Sequence, residues 1–243
     1  MKEKIIKNRG WLWVGSAMIG FLAGSLTYLK RGYGSSASER QQLLPGDSLI
    51  LRPHTQATHA ITIQASPAQI WPWLLQAGYH RGGWYIDAWW DRWLNENFWP
   101  RFVPQDDRPS FQPSAKQILP EWQGLAIGDT VPDGPPGSAF FDVTALDPRQ
   151  ELVLFSNTHI PFLTPKFLFG TPFEVSGDFS WAFVLRELPG RRTRLLLRMR
   201  GTLNPSVIRV LSSPFLALTD YLYSRQMLHG IRHRAMLYHD ADA

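Results

Sequence analysis

Two neighbouring segments of alternating residues, followed by one long helical pattern, constrain the fold of this chain most. Residues 179–186 carry Phe, Trp, Phe and Leu at every second position, and residues 194–200 carry Leu, Leu and Met in the same way. Alternation with a period of two is typical of a strand with one buried face. Leu188–Gly190 supplies the turn between the two segments. The sequence therefore predicts an antiparallel hairpin in the core.

A long helix is predicted after this hairpin. Asn204 followed by Pro205 is a typical helix start. From Ala217 to Tyr238, small and apolar residues recur at intervals of three and four, as on one side of a helix. Pro214 is expected to break or kink this helix, because proline lacks the donor of an intrahelical hydrogen bond.

The preceding half of the chain supplies further strands and two helical stretches. Ser66 and Gln69 form a capping box with Pro67 at the first helical position, so a helix begins there and Gly78 is placed to end it. The remaining predictions are strands at 58–64, 139–146 and 151–156 and a helical stretch at 85–98. This order predicts the α+β class, with a curved antiparallel sheet and a long final helix.

Residues 11–29 form a run without a charged side chain. At ~1.5 Å per residue a helix of this length spans about 28 Å, close to the hydrocarbon thickness of a bilayer. The run predicts one transmembrane helix between a basic flank at 1–10 and a flexible tether at 30–44. A cleavable signal peptide, with Ser35–Ala37 as its cleavage site, is the alternative.

The location of the net charge indicates whether the chain can bind nucleic acid and how it is oriented in the membrane. The whole net charge of +5 lies in residues 1–44, and the rest of the chain has no net charge. A folded part without a positive field excludes nucleic acid as a partner. Because the basic residues before the run outnumber Lys30 and Arg31, we expect a cytoplasmic amino end and an extracytoplasmic domain, with the cytoplasmic face as the alternative.

Two blocks resemble a known superfamily. Residues 60–74 (AITIQASPAQIWPWL) resemble the first strand and helix of START-like domains, which are also called SRPBCC, Bet v 1-like or polyketide-cyclase-like domains. Residues 76–87, with the pattern Q-x-G-x-x-R-G-G-W-Y-x-D, are similar to an uncharacterised subgroup that we take to be membrane-anchored. The resemblance makes residues 45–243 one domain. It implies a helix-grip fold whose cavity holds lipids, sterols, polyketides or other apolar molecules, and it supplies no catalytic residues.

The candidate ligand-binding residues are those expected to line this cavity or to orient a ligand at its mouth. Aromatic side chains suit an apolar wall, and Arg81 could bind a carboxylate through two hydrogen bonds. For the aromatic residues the alternative is ordinary core, and for Arg81 it is an ion pair with Asp87. The candidates are Arg81, Trp84, Tyr85, Asp87, Trp181 and Phe183.

Three functions remain open at the level of sequence. The first is a membrane-tethered protein that binds a hydrophobic small molecule or lipid. The second is a cyclase- or lyase-like enzyme with His80, Tyr85 or Asp87 as the acid or base. The third is an accessory subunit of a membrane complex. The aromatic insert at 158–177 fits a lid, a bilayer contact or packing on the sheet edge.

No cofactor or metal is predicted. Cys is absent, which excludes thiolate ligands and thiol catalysis. His229 and His233 lie one helical turn apart, but no third ligand stands at a familiar spacing, so a solvated basic face is the preferred interpretation. His159 is interpreted as an isolated polar residue.

Overall fold

The computed structural model describes residues 29, 31–87, 89–93, 96–97, 113–134, 136–163 and 169–237. The predicted transmembrane helix at 11–29 lies outside these residues, apart from Leu29. Within the described ranges, no helix combines the length and the apolar character needed to cross a membrane.

The elements follow the predicted order of strand, helices, antiparallel strands and long final helix. They are α1 (Ala37–Gln41), β1 (Thr55–Ile63), α2 (Pro67–Leu75), α3 (Trp89–Trp93), β2 (Thr130–Pro132), β3 (Phe140–Asp147), β4 (Glu151–Ser156), α4 (His159–Leu163), β5 (Phe179–Leu188), β6 (Arg192–Gly201) and α5 (Ser206–Leu237), with a 3-10 helix at Pro120–Trp122. The α+β class is confirmed, as are the antiparallel sheet and the long C-terminal helix.

The six strands form one sheet in the order β1-β6-β5-β4-β3-β2, and every neighbouring pair is antiparallel. Register places Leu197 opposite Phe183 on one side and His59 on the other. Residues opposite each other share a face of the sheet. We call the face that carries these three residues the inner face, and it holds most of the buried core.

Helix α5 covers the inner face at the β1 end of the sheet. His59 of β1 is fully buried there, and its Nε2 lies 2.8 Å from Asp220 Oδ2 of the helix. Later in α5, Met227, Leu228 and Ile231 are buried in the main core. This packing keeps half of the inner face away from solvent and leaves the β3–β5 half to other residues.

The helix departs from one prediction. The sequence predicts a break or kink at Pro214, and the break is wrong, because α5 runs from Ser206 to Leu237 through Pro214. The kink stays a prediction. Pro214 lies on an exposed part of the helix. The carbonyl that loses its intrahelical donor therefore lies near solvent, where the loss costs least.

The capping box at the start of α2 is confirmed: Gln69 Oε1 accepts a 3.0 Å hydrogen bond from the backbone N–H of Ser66. The next helical stretch was predicted from residue 85, but residues 85–87 are not helical and α3 is Trp89–Trp93. Tyr85, which the prediction placed inside it, has a φ of +62°, in the left-handed region that a helix does not use. The chain between α2 and α3 is therefore a turn, and it places the side chain of Tyr85 in the core.

The segment predicted as a flexible tether is ordered from Arg31 onward, and we call residues 31–47 the strap. It packs on the outer face of the sheet, where Leu44 is buried with Leu196. Arg194 of β6 donates to both carboxylate oxygens of Glu39, at 2.7 and 2.9 Å. The arginines that alternate along β6 explain this order, since they hold the strap by charge-assisted hydrogen bonds.

A second arginine of β6 also binds the strap. Arg198 is 2% exposed and donates to Asp47 and to the carbonyl oxygens of Glu39, Arg40 and Gln42. A buried guanidinium needs several acceptors, because its desolvation is costly. The two terminal nitrogens of Arg198 have them, whereas its Nε has no acceptor among the described residues. The strap is thus part of the folded domain.

Candidate functional site

The β3–β5 half of the inner face carries a cluster of aromatic side chains. Strand β5 contributes every second residue, which is the alternation seen in the sequence, while β3 and the turn after α2 contribute one residue each. We call this cluster the aromatic wall. It consists of Trp84, Phe141, Phe179, Trp181 and Phe183.

Trp181 is the centre of the wall. Its ring lies 5.2 Å from Phe141 in a stacked arrangement and 5.3 Å from Trp84 in an edge-to-face arrangement. Phe179 and Phe183 follow at 5.5 and 6.2 Å. These are favourable aromatic separations. Trp181, Phe141 and Phe183 are buried, whereas Trp84 and Phe179 are partly exposed. The wall therefore reaches solvent on the side of Trp84 and Phe179.

Two polar donors lie in this apolar surface. The indole N–H groups of Trp84 and Trp181 are buried and have no hydrogen-bond acceptor among the described residues. A buried donor without an acceptor costs about 1–3 kcal/mol. The wall therefore carries two unpaired donors on neighbouring indoles of an otherwise apolar surface.

A polar cluster borders the wall, and we call it the His159 clamp. His159 Nε2 lies 2.8 Å from Asp133 Oδ2, and His159 Nδ1 lies 2.7 Å from Ser156 Oγ. The imidazole ring is 4.4 Å from Phe141 and 5.6 Å from Phe179. The sequence analysis missed this cluster. The sequence feature that could have indicated it is Ser156 three residues before His159. Asp133 is distant in sequence and gives no such indication.

The clamp contains the residue types of a nucleophilic Ser–His–Asp site, but its geometry favours a structural role. The two ring nitrogens of His159 are reversed relative to that site, with Nδ1 at Ser156 and Nε2 at Asp133, and Ser156 is 2% exposed. Ser156 Oγ also accepts from the backbone N–H of Thr158. A nucleophile must reach its substrate, so we assign to the clamp the positioning of α4 at the edge of the wall.

Of the six predicted ligand-binding residues, the structure brings together Trp84, Trp181 and Phe183. Tyr85 lies apart from them: its hydroxyl donates to the carbonyl oxygen of Trp73 at 2.6 Å. Its ring is 1% exposed, and this burial raises its pKa. A buried phenol that is held protonated suits core packing better than proton transfer.

Arg81 and Asp87 do not form the ion pair that was their alternative interpretation. Arg81 donates to the carbonyl oxygen of Leu75 at 2.7 Å and stacks 4.5 Å above the ring of Trp122. Burial lowers its pKa. Asp87 pairs instead with Arg234, a buried residue of α5, at 3.0 Å. A role for either residue in ligand binding stays a prediction.

Two predicted histidines lie elsewhere. His80 is exposed, and its ring lies 4.2 Å from the ring of Tyr79 in an edge-to-face arrangement. His229 on α5 shares a 3.0 Å hydrogen bond between its Nε2 and the hydroxyl of Tyr33 in the strap. None of the proposed acid–base residues, His80, Tyr85 and Asp87, has a ring or hydrogen-bond contact with the wall among the described interactions.

A shallow cleft of about 210 Å³ lies beside the clamp. It is formed by β2, the start of β3 and the turn between them, with Pro132, Ser138 and Phe140 in its lining. Asp133 follows directly on Pro132, so the cleft borders the acidic end of the clamp. It is an open groove at the edge strand of the sheet.

No protein-family model matches the sequence, and no curated protein matches it. Solved structures give matches of low identity. Truncated norcoclaurine synthase from Thalictrum flavum is 11% identical, with 76% of this chain and 95% of that chain covered, at a TM-score of 0.39. A hypothetical protein from Helicobacter pylori is 8% identical over 83% of this chain and 99% of that chain, at a TM-score of 0.43. Similarity at this level carries no argument about the function of this chain.

Proposed function

We propose that this protein binds a hydrophobic small molecule or lipid against the aromatic wall, and that residues 11–29 tether it to a membrane. The pair of buried indole N–H groups on Trp84 and Trp181 is the observation that carries the proposal. A ligand oxygen that reaches these indole N–H groups would accept hydrogen bonds from them and remove the cost of leaving them unpaired.

This arrangement defines the ligand class. The wall offers apolar area from five aromatic side chains and hydrogen-bond donors from two of them. Fatty acids, polyketides and sterols combine an apolar body with a carbonyl, carboxyl or hydroxyl oxygen, and they fit such a surface. A fully charged or sugar-like molecule would leave its polar groups against the phenylalanine rings without partners.

The tether supports the same function. A protein held at a bilayer by an anchor meets lipid-derived ligands at a high effective concentration. Because the strap packs on the domain from Arg31 onward, few residues separate the uncharged run from the domain. The wall then stays near the membrane.

Photolabelling tests the proposal. The full chain is reconstituted in phosphatidylcholine vesicles with a diazirine-bearing fatty acid, irradiated and digested, and the labelled peptides are identified by mass spectrometry. We expect labels on β5 and on the turn that contains Trp84. The change Trp181→Phe keeps the apolar surface but removes one donor, so it should reduce this label.

The control is Trp89→Phe, since Trp89 is 80% exposed on α3 and lies outside the wall. It should leave the label on β5 unchanged. Labels restricted to residues 11–29, with none on β5, would contradict binding at the wall.

A further inference from the structure

The first half of α5 exposes an apolar face. Its members recur at intervals of three and four, which places them on one side of the helix. They are between 36% and 73% exposed, and a contiguous apolar patch of this kind marks an interaction surface. The members of this apolar face are Val207, Val210, Leu211, Phe215, Leu218 and Leu222.

The charges of this half of the helix point away from the face. Arg209 precedes Leu218 by nine residues, which at ~100° per residue puts it on the opposite side. Asp220 turns inward to His59 and Ser224. No other Asp, Glu, Lys or Arg occurs from residue 206 to residue 222. The face is therefore without charge.

The second half of α5 carries basic residues on the same side. Arg225 and Arg232 follow Leu218 at intervals of seven, or about two helical turns each. Arg225 lies 5.4 Å above the ring of Tyr33. Basic residues that continue the side of an exposed apolar face suit a helix at a membrane interface, because anionic headgroups attract them.

The chain also enters the domain on this side. The Tyr33 ring lies 6.2 Å from Tyr221 and 5.5 Å from His229, both on α5. Lys30 and Arg31 stand just before these contacts, at the end of the uncharged run. A membrane segment that ends there brings the lipid surface to the basic part of α5.

The aromatic insert at 158–177 ends close to the first turn of α5. Phe169 and Phe173 are about half exposed. The segment that follows them is joined to the residues before α5, because Ser176 forms a backbone bridge with Asn204. The end of the insert therefore lies beside the start of α5.

We propose that the apolar face of α5 lies in the interface of the lipid bilayer that holds residues 11–29, with Arg225 and Arg232 at anionic headgroups. This inference rests on the tether of the proposed function. A second copy of the chain would cover the apolar half alone and would leave Arg225 and Arg232 without an acidic partner. A bilayer receives both halves, because anionic headgroups attract basic residues beside inserted apolar side chains.

The absence of cysteine allows a direct test. Single-cysteine variants of the full chain, Leu211→Cys and Phe215→Cys, carry a nitrobenzoxadiazole label in vesicles of phosphatidylcholine and phosphatidylglycerol. Ile127→Cys is the matched control, since Ile127 is 64% exposed beside β2, at the opposite edge of the sheet from β1. Quenching by nitroxide-bearing lipid and by aqueous iodide is compared.

At positions 211 and 215 we expect loss of most of the emission with nitroxide lipid and little loss with iodide, and at position 127 the reverse. Equal iodide quenching at all three positions would overturn the inference. Protection from both quenchers at 211 and 215 would also overturn it, because a protein surface would then cover the face.

Flotation of the same vesicles separates the two proposals. A chain that floats with its label at 211 open to iodide keeps the tether and loses the docked face. A chain that does not float loses both the tether and the docked face. Neither result alters the photolabelling of β5, which tests the aromatic wall independently.

Discussion

Replacing Glu39 by glutamine tests whether the strap belongs to the folded domain. The Arg194 guanidinium lowers the pKa of Glu39 from an ordinary value of 4.5 to about 2, against an opposing effect of burial. Each pKa unit is worth about 1.36 kcal/mol, so the lowering corresponds to about 3 kcal/mol before screening by solvent. The carboxylate borders water, and screening reduces this to about 1–2 kcal/mol.

The sign of the pH dependence follows from the lowered pKa. The ionised carboxylate stabilises the fold fully above pH 4.5, the unfolded value, and this contribution is lost as the pH falls towards 2. We therefore expect Glu39→Gln to lower the free energy of unfolding by about 1–2 kcal/mol at pH 7, with the difference shrinking below about pH 4.5.

The assay is urea unfolding of the full chain in mild detergent, followed by tryptophan fluorescence between pH 7 and pH 3. The control is Glu121→Gln, since Glu121 is exposed on the 3-10 helix and has no ion pair among the described residues. If both variants unfold like the parent at pH 7, residues 31–44 form the flexible tether that the sequence predicts. The inference that the strap packs on the domain is then wrong.

Two further predictions concern packing. Trp181→Ala should lower the free energy of unfolding by about 3–5 kcal/mol if the aromatic wall packs as core, and a much smaller loss in urea unfolding would place Trp181 on an open surface. Gly230→Ala should destabilise the fold by about 1–3 kcal/mol, because its Cβ would collide with the carbonyl oxygen of Tyr85. Gly124→Ala is the matched change, since nothing lies near its Cβ. Equal melting temperatures for the two alanine variants would refute the close approach of α5 to Tyr85.

Local signals in the sequence were sufficient for most of the sheet and for α5. Alternation of side chains located β5 and β6 because one face of each strand is buried, and the capping box located the start of α2. These features depend on residues a few positions apart.

The partners of charged groups were not predictable in the same way. Glu39 meets Arg194 across 155 positions, and Asp87 meets Arg234 across 147. Such contacts depend on how the sheet brings distant segments together, so the strap was taken for a tether and Asp87 for a partner of Arg81. Composition made residues 30–44 look flexible, and the arginines of β6 explain why residues 31–44 are ordered.

The residues of the candidate site also fall into two groups, those that a local pattern predicts and those that depend on long-range contacts. Trp181 and Phe183 of β5 were predicted to line the site, and alternation fixes the face on which they lie. Trp84 joins them through a turn, and its meeting with Trp181 rests on a long-range contact. The His159 clamp could not be predicted from the sequence. Ser156 and His159 are three residues apart and form a common pair, while Asp133 follows β2 and meets His159 only in the folded sheet.

Native mass spectrometry of the full chain, released from detergent micelles, tests ligand binding at the aromatic wall most directly. We predict one stoichiometric adduct of an apolar, oxygen-bearing molecule on the parent chain and its loss when Trp84 and Trp181 are both changed to phenylalanine. A parent chain that is recovered without any adduct, or an adduct that the double variant retains in full, would contradict the account.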